Sequence, residues 1–353
     1  MGAYSEGLPN VPAKMEDYGN HIATIVIKDG WIVGEWYSLP ESMFFQQYLA
    51  SNGKSFAYVL FGIMKDEGRE GKIPLALTEE SKLYDKRYLP QGFPLSDPRK
   101  EAITFEDVFR HTAGFLSEED AQYSAGKFRW TGYEQWLLGK DPRWPAMGIL
   151  NFPPGQPQEY ARAETWGAHT GSYSSVGFAH LGLVFNNIYQ QPADRVLWDK
   201  LLSPLGFSGV SYHFPEPGKN RWFSGGGLCM IPRDYARFAY FFMEKGKWRK
   251  KQLVSREWIE RTFQTPYYQN MRSNVDGYFG KNLPKDLLRI YGAGANFAFI
   301  IPSENVIVLR CARTDNAFVE EAEQEVLRRL PGLLGRKADG AGPAPLLQVQ
   351  DHS

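Results

Sequence analysis

Strand signals lie at both ends of this chain, and most of the helical signals lie between them. Residues 21–27 and 31–36 are rich in β-branched and aromatic residues, and the Asp-Gly step between them is a preferred hairpin turn. Residues 297–302 and 305–310 form a second predicted hairpin. We therefore predict an α/β fold (an α+β sandwich) in which an antiparallel sheet, built from both chain ends, is flanked by helices and carries an inserted, mostly helical domain.

The predicted fold divides the chain into four parts. An N-terminal extension covers residues 1–20, and the α/β domain is discontinuous, with residues 21–75 and 225–335. Residues 76–224, where Pro, Gly and short helical signals are frequent, make the helical insert domain. The tail, residues 336–353, is rich in Gly, Pro and Ala, so we expect it to be disordered.

The composition excludes several classes of protein. Among its 353 residues, 40 Lys and Arg balance 40 Asp and Glu, which argues against nucleic-acid or anionic-membrane partners. No apolar stretch approaches ~20 residues, and the N-terminus lacks the apolar core of a signal peptide. Two cysteines and six dispersed histidines predict neither a disulfide framework nor a metal site. We therefore expect a cytoplasmic protein that uses no metal and no cofactor.

A Ser-x-x-Lys motif, Ser51 to Lys54, opens an apolar run over residues 55–64 that is typical of a buried helix. A spacing of three residues places the hydroxyl and the amine on one face of a helix, close enough to share a proton. The first backbone N–H groups of a helix are unpaired and carry partial positive charge, which suits an oxyanion. We therefore predict that Ser51 is a nucleophile and that Lys54 activates it.

The Ser-x-x-Lys motif is short, so it can occur by chance, and Ser51 also has a structural interpretation. The segment Ser124 to Lys127 also matches, but it has an internal glycine and no helical run behind it, so we interpret it as a surface loop. Ser51 could instead be a helix N-cap, with Lys54 in the first turn. A lysine is disfavoured near the positive end of a helix dipole, and this favours the catalytic interpretation.

Ser-Lys chemistry needs a third group that passes a proton to the leaving atom, and a second oxyanion donor. Residues 171–182, which include Tyr173, offer the first. Residues 291–296 offer the second, because their glycines and alanines let backbone N–H groups approach a substrate oxygen at a strand edge.

With these segments in place, the chain resembles the serine β-lactamase / penicillin-binding-protein-like hydrolases, in particular the class C-like branch of esterases, amidases and acyltransferases. Five segments carry the resemblance in the order of that family, within residues 20–335: S-N-G-K at 51–54; I-T-F-E-D-V-F-R-H-T-A-G-F at 103–115, similar to ITxxxLLxHTSGL; Y-S-S-V-G at 173–177, similar to Y-S-N-x-G; G-G-L at 226–228 with R-D-Y-A-R-F at 233–238; and G-A-G-A-N at 292–296, similar to G-x-G-G-Q.

The resemblance implies a role for each matching residue. Lys54, desolvated and with a lowered pKa, takes the proton of Ser51, and Tyr173 shuttles protons to and from the leaving group. The backbone N–H groups of Ser51 and Ala293 bind the oxyanion. The residues expected to contact the substrate are Ser175, Gly292, Gly294 and Tyr291.

Three departures from the family pattern affect these roles. Ser175 stands where the family usually has asparagine. The third motif lacks the Lys or His that begins its K-T-G versions. Tyr160 lies five residues after Gly155, a spacing that the family often has before its motif tyrosine; Tyr173 has the better downstream match, so we favour it.

Three functions follow from this pattern. The first is a hydrolase of a small ester or amide that works through an acyl-enzyme. The second is an acyltransferase, which needs a water-excluding site for a second substrate, an amine or an alcohol; the tryptophan-rich segment 130–166 could provide it. The third, suggested by the departures, is a catalytically silent binding protein on the same scaffold.

Penicillins and cephalosporins are expected to be poor substrates compared with simple esters or amides. Their carboxylate normally meets a cationic or hydroxyl-bearing third motif, whereas residues 290–293 offer backbone and a phenol. Neighbouring side chains of a strand point to opposite faces, so we expect either Arg289 or Ile290 to reach the cleft, and not both. Values of kcat/KM for nitrocefin and for a short p-nitrophenyl ester test this; efficient nitrocefin hydrolysis would contradict it.

Overall fold

The structure is a computed structural model that describes residues 21–116, 133–155, 173–212, 222–268, 270–312 and 319–334. The predicted N-terminal extension, the predicted tail and the second Ser-x-x-Lys segment therefore lie outside the described residues. Within the described residues, no helix is long and apolar enough to cross a bilayer.

Strands come from both ends of the chain. Those of the described residues are β1 (His21–Lys28), β2 (Trp31–Tyr37), β3 (Gln47–Tyr48), β4 (Ser211–Tyr212), β5 (Leu228–Met230), β6 (Lys247–Trp248), β7 (Lys251–Gln252), β8 (Tyr267–Tyr268), β9 (Met271–Ser273), β10 (Leu288–Gly292), β11 (Asn296–Ile301) and β12 (Val306–Ala312). Seven of them form one antiparallel sheet in the order β2-β1-β12-β11-β10-β9-β8. Because β1 pairs with β12, both predicted hairpins share one sheet, and the predicted fold class is confirmed.

Helices cover the sheet on both faces. Those of the described residues are α1 (Gly53–Arg69), α2 (Phe105–Phe109), α3 (Tyr133–Leu137), α4 (Ser175–Tyr189), α5 (Ala193–Leu197), α6 (Pro232–Met243), α7 (Arg256–Gln264) and α8 (Val319–Leu333). On the inner face of the sheet, Ile290 and Leu309 join the main core with α1, α6 and α7. On the outer face, Tyr291 and Val308 pack with Leu327 of α8.

Helix α1 is the centre of the main core. All residues from Gly53 to Met64 are buried, as expected of a helix that is apolar around most of its circumference. Phe56 stacks on Phe238 of α6, with ring centroids 3.6 Å apart. At Gly62 the indole of Trp258 lies so close that a β-carbon would overlap it. These contacts fix the position of α1, and therefore of the residues that precede it.

The chain enters α1 differently from the prediction. Ser51 lies in a short 3₁₀ turn, Ala50–Asn52, and the α-helix begins at Gly53. Ala50, immediately before Ser51, has φ of 47°, in the left-handed region that is unfavourable for a residue with a β-carbon. Further along the chain, α2 begins after Thr104, and Thr104 and Asp107 form a capping box there.

A buried lysine, Lys100, lies in the segment between α1 and α2. The side chain of Lys100 has no exposed surface; its Nζ donates to Ser96 Oγ at 2.8 Å and to the carbonyl oxygen of Leu138 at 3.3 Å. The Nζ also lies 5.6 Å from the ring centroid of Tyr84. Burial lowers the pKa of Lys100 to about 8, because a charged amine loses its hydration.

This buried amine makes the stability of the protein depend on pH in the alkaline range. Between the folded pKa of about 8 and the ordinary value of 10.5, the unfolded chain binds a proton that the folded protein does not bind, so stability rises with pH. We expect the free energy of unfolding of the wild type to gain roughly 1–2 kcal/mol relative to Lys100→Met between pH 7.5 and 9.5. Urea unfolding of both proteins at the two pH values measures it. Parallel changes in the two proteins would contradict the expectation.

Candidate active site

The structure brings Ser51, Lys54 and Tyr173 together. Lys54 Nζ lies 3.1 Å from Ser51 Oγ, and the phenol of Tyr173 donates to the same oxygen at 2.8 Å. Ser51 is 9% exposed, and the other two side chains are fully buried. Because its hydroxyl contacts these side chains, and Asn52 occupies the N-cap position of α1, the N-cap interpretation of Ser51 does not hold.

The Lys54 amine lies within hydrogen-bond distance of three oxygen atoms. Besides Ser51 Oγ, these are Ser175 Oγ at 2.6 Å and the carbonyl oxygen of Gly225 at 2.7 Å. A neutral amine has two N–H bonds and one lone pair. If its N–H bonds point to Ser175 and Gly225, its lone pair faces Ser51, which is the geometry a base requires. Ser175 therefore retains a polar contact with the lysine, although it stands in place of asparagine.

Close backbone contacts hold Gly225 beside the lysine. A β-carbon on Gly53 would lie 2.7 Å from the α-carbon of Gly226, so the loop that precedes β5 packs directly on the start of α1. A β-carbon on Gly225 would lie 2.6 Å from the carbonyl oxygen of Ser175. A larger residue at either glycine would move Gly225 away from Lys54. Gly225 was not among the predicted site residues, although it adjoins the G-G-L motif.

The start of α4 carries Tyr173 and Ser175. Ser174 is the N-cap of this helix; its Oγ accepts from Val176 N–H at 3.3 Å and donates to the carbonyl oxygen of Leu116 at 2.6 Å. These bonds hold the chain between the two predicted site residues. The ring centroid of Tyr173 lies 4.6 Å from Lys54 Nζ, so the phenol and the amine approach Ser51 as neighbours.

A buried asparagine, which the sequence analysis missed, links the first and third motifs. Asn52 Nδ2 donates to the carbonyl oxygens of Leu49 at 3.0 Å and of Asn296 at 3.2 Å. Its Oδ1 accepts from the hydroxyl of Tyr235 on α6 at 3.0 Å. Asn52 and Tyr235 are polar residues within otherwise buried segments, and polar groups in such positions need partners. That requirement is the signal that could have identified them.

The turn between β10 and β11 lies beside the Ser51 turn. A β-carbon on Gly292 would overlap the carbonyl oxygen of Leu49 and would lie 2.6 Å from Asn52 Nδ2, so only glycine permits this approach. Gly294 and Ala295 both have positive φ, 84° and 59°, which makes the tight turn. Gly292 and Gly294 thus shape the backbone of the turn that contains Ala293, and this turn lies against Leu49 and Asn52.

Three residues of the β10 segment lie away from Ser51. Arg289 pairs with Glu323 of α8 on the outer face, and the ring centroid of Tyr291 lies 4.9 Å from the guanidinium carbon of Arg289. Ile290 is fully buried in the main core. The expectation that Arg289 or Ile290 reaches the cleft is therefore wrong, because helices pack against both faces of β10. The side chain of Tyr291, predicted to contact substrate, lies on the outer face.

The described residues contain no cluster of His, Cys, Asp or Glu suited to a metal ion. The polar groups around Ser51 are hydroxyls, one amine and backbone carbonyls. Such a set can exchange protons and bind an oxyanion, which is the chemistry of acyl transfer.

The comparisons with known proteins agree with this fold. The sequence matches the family model described as Beta-lactamase over residues 15–330. The chain therefore belongs to the β-lactamase family. No curated protein matches the sequence.

Solved structures similar to this chain include several hydrolases. A putative 6-aminohexanoate-dimer hydrolase from Bacillus anthracis is 14% identical over 91% of this chain and 82% of its own, with a TM-score of 0.66. A family VIII carboxylesterase is 14% identical over 86% and 90%, with a TM-score of 0.59. A D-stereospecific amidohydrolase from Streptomyces sp. is 15% identical over 87% and 95%, with a TM-score of 0.56. At these identities the comparisons show a shared fold.

Tyr173 and Tyr160 can be separated by matched substitutions. Tyr160 lies outside the described residues, whereas Tyr173 contacts Ser51. We expect Tyr173→Phe to lower turnover at least ~100-fold, the scale of a lost general acid-base, and Tyr160→Phe to change it little. Initial rates with a p-nitrophenyl ester measure both. The reverse order of effects would transfer the role to Tyr160.

Proposed function

We propose that this protein is a serine hydrolase that cleaves a small ester or amide through an acyl-enzyme on Ser51. The observation that carries the proposal is the position of Ser51 Oγ, which is within hydrogen-bond distance of both Lys54 Nζ and the Tyr173 hydroxyl. A nucleophile with a base on one side and a second proton carrier on the other is the arrangement that acyl transfer needs.

The first step forms the acyl-enzyme. Neutral Lys54 takes the proton of Ser51 while Ser51 Oγ bonds to the substrate carbonyl carbon. The tetrahedral intermediate collapses when the leaving atom takes a proton from Tyr173, which regains one from Lys54. Water then attacks the acyl carbon, its proton returns through the same groups, and Ser51 is released.

We assign the oxyanion to the backbone N–H groups of Ser51 and Ala293. Support comes from the Gly292 contacts, which bring the β10–β11 turn against the residues on either side of Ser51. Each donor of this kind contributes about 3–4 kcal/mol in comparable sites. Ser175 acts in this scheme by orienting the amine of Lys54.

The substrate class rests on the printed names of similar structures, among them a carboxylesterase, an amidohydrolase and a 6-aminohexanoate-dimer hydrolase. The contacts of Lys54 with Ser51 and Ser175 support an enzyme over a silent binding protein. Transfer of the acyl group to an amine or alcohol uses the same first half-reaction, so acyltransferase activity stays an alternative. The cytoplasmic location and the absence of nucleic-acid and membrane partners stay predictions.

Replacement of Ser51 tests the proposal directly. We expect Ser51→Ala to abolish fluorophosphonate labelling and ester turnover in a protein that keeps its melting temperature, because it removes the nucleophile. The matched control is Ser124→Ala, in the other Ser-x-x-Lys segment, which should label and turn over as the wild type does. Retained labelling of Ser51→Ala would assign the nucleophile to another serine.

The same assay separates hydrolysis from acyl transfer. If water is the acceptor, added primary amines leave the yield of free acid unchanged. If an amine is the acceptor, amide product replaces the acid as the amine concentration rises. Product analysis by mass spectrometry distinguishes the two.

A further inference from the structure

A buried histidine packs against Tyr173, and the proposed reaction does not use it. His111 belongs to the H-T-A-G segment at residues 111–114, and it is 2% exposed. The centroid of its ring lies 4.5 Å from that of Tyr173, and the two ring planes differ by 34°. The imidazole therefore packs against the phenol ring whose hydroxyl contacts Ser51.

The same imidazole also binds the backbone directly after Tyr173. His111 Nδ1 accepts a hydrogen bond from the backbone N–H of Ser174 at 3.2 Å. Because a backbone N–H can only donate, Nδ1 carries no proton in this arrangement. One side chain thus restrains both the ring of Tyr173 and the peptide unit that follows it.

The backbone of His111 is in a conformation that few residues adopt. Its φ is 57°, in the left-handed region, at the point where the chain leaves α2. The backbone N–H of Thr112 bonds to the carbonyl oxygen of Asp107 at 2.8 Å, and that of His111 to the carbonyl oxygen of Val108 at 3.2 Å, so His111 is the left-handed residue of a Schellman cap that ends α2. From this position at the end of α2, the His111 side chain contacts Tyr173 and Ser174.

We infer that His111 is a positioning residue, which holds the Tyr173 hydroxyl within hydrogen-bond distance of Ser51 Oγ. It does so by accepting from Ser174 N–H and by packing on the phenol ring. The inference rests on the proposed function, because the position of the Tyr173 hydroxyl affects the rate only if Tyr173 transfers protons. A displacement of about 1 Å of a reacting group can cost ~100-fold in rate, so small losses of restraint are measurable.

Two substitutions distinguish the effect of losing the hydrogen-bond acceptor of His111 from the effect of disturbing its backbone conformation. His111→Asn keeps an acceptor at the same distance from the backbone, and asparagine tolerates positive φ. His111→Gly removes the acceptor and the ring but accommodates the turn without strain. We expect kcat for a p-nitrophenyl ester to stay within about 5-fold of the wild type in His111→Asn and to fall ~100-fold in His111→Gly, with KM little changed in both.

A double-mutant cycle with Tyr173→Phe distinguishes positioning from general destabilisation. If His111 acts through the Tyr173 hydroxyl, His111→Gly should lower kcat less than about 3-fold in the Tyr173→Phe background. Melting temperatures at the assay pH show that each variant is folded. Equal losses from His111→Gly in both backgrounds, or wild-type kcat in His111→Gly, would overturn the inference and leave the proposed function intact. A silent Tyr173→Phe would overturn the inference and the role of Tyr173 in the proposed reaction, whereas the role of Ser51 is tested separately by Ser51→Ala.

Discussion

Burial of the Lys54 amine is the constraint on which the site depends. An amine without exposed surface loses its hydration, and only nearby acceptors can replace it. Ser51, Ser175 and Gly225 supply those acceptors from three segments that are far apart in the chain. For Gly225 to reach the amine, backbone must contact backbone at the start of α1, which explains the glycines there. The requirement of the buried Lys54 amine for hydrogen-bond partners therefore explains the close backbone packing at the start of α1.

Around this centre, polar groups connect elements that the apolar core alone would not align. Asn52 joins the Ser51 turn to β11 and to α6, while Ser174 and His111 restrain the chain beside Tyr173. Each of these groups is buried and hydrogen-bonded, so the loss of one partner leaves another unsatisfied. Two residues with left-handed backbone conformations adjoin the site: Ala50 directly precedes Ser51, and His111 packs against Tyr173.

Much of the fold could be predicted from local patterns, whereas the contacts of individual side chains could not. The two hairpins have strong β-residue and turn signals within short windows, and the structure has them within a few residues of the predicted ends. Lys54 and Tyr173 were selected by motif spacing, and the structure brings both to Ser51. Gly225 and Asn52 were missed because their roles arise from contacts across 171 and 244 residues. The position of Arg289 was missed because strand alternation cannot show that α8 covers the outer face.

The pairing of β1 with β12 also determines when the protein can fold during synthesis. The partner of Ile25 is Leu309, so one edge of β1 has no strand to bind until residues up to about 312 have left the ribosome. Contacts of such long sequence separation form slowly, and an unpaired apolar strand is prone to aggregate while it waits. Until β12 is synthesised, the nascent chain therefore exposes one edge of β1, and a product truncated before β12 would keep that edge exposed.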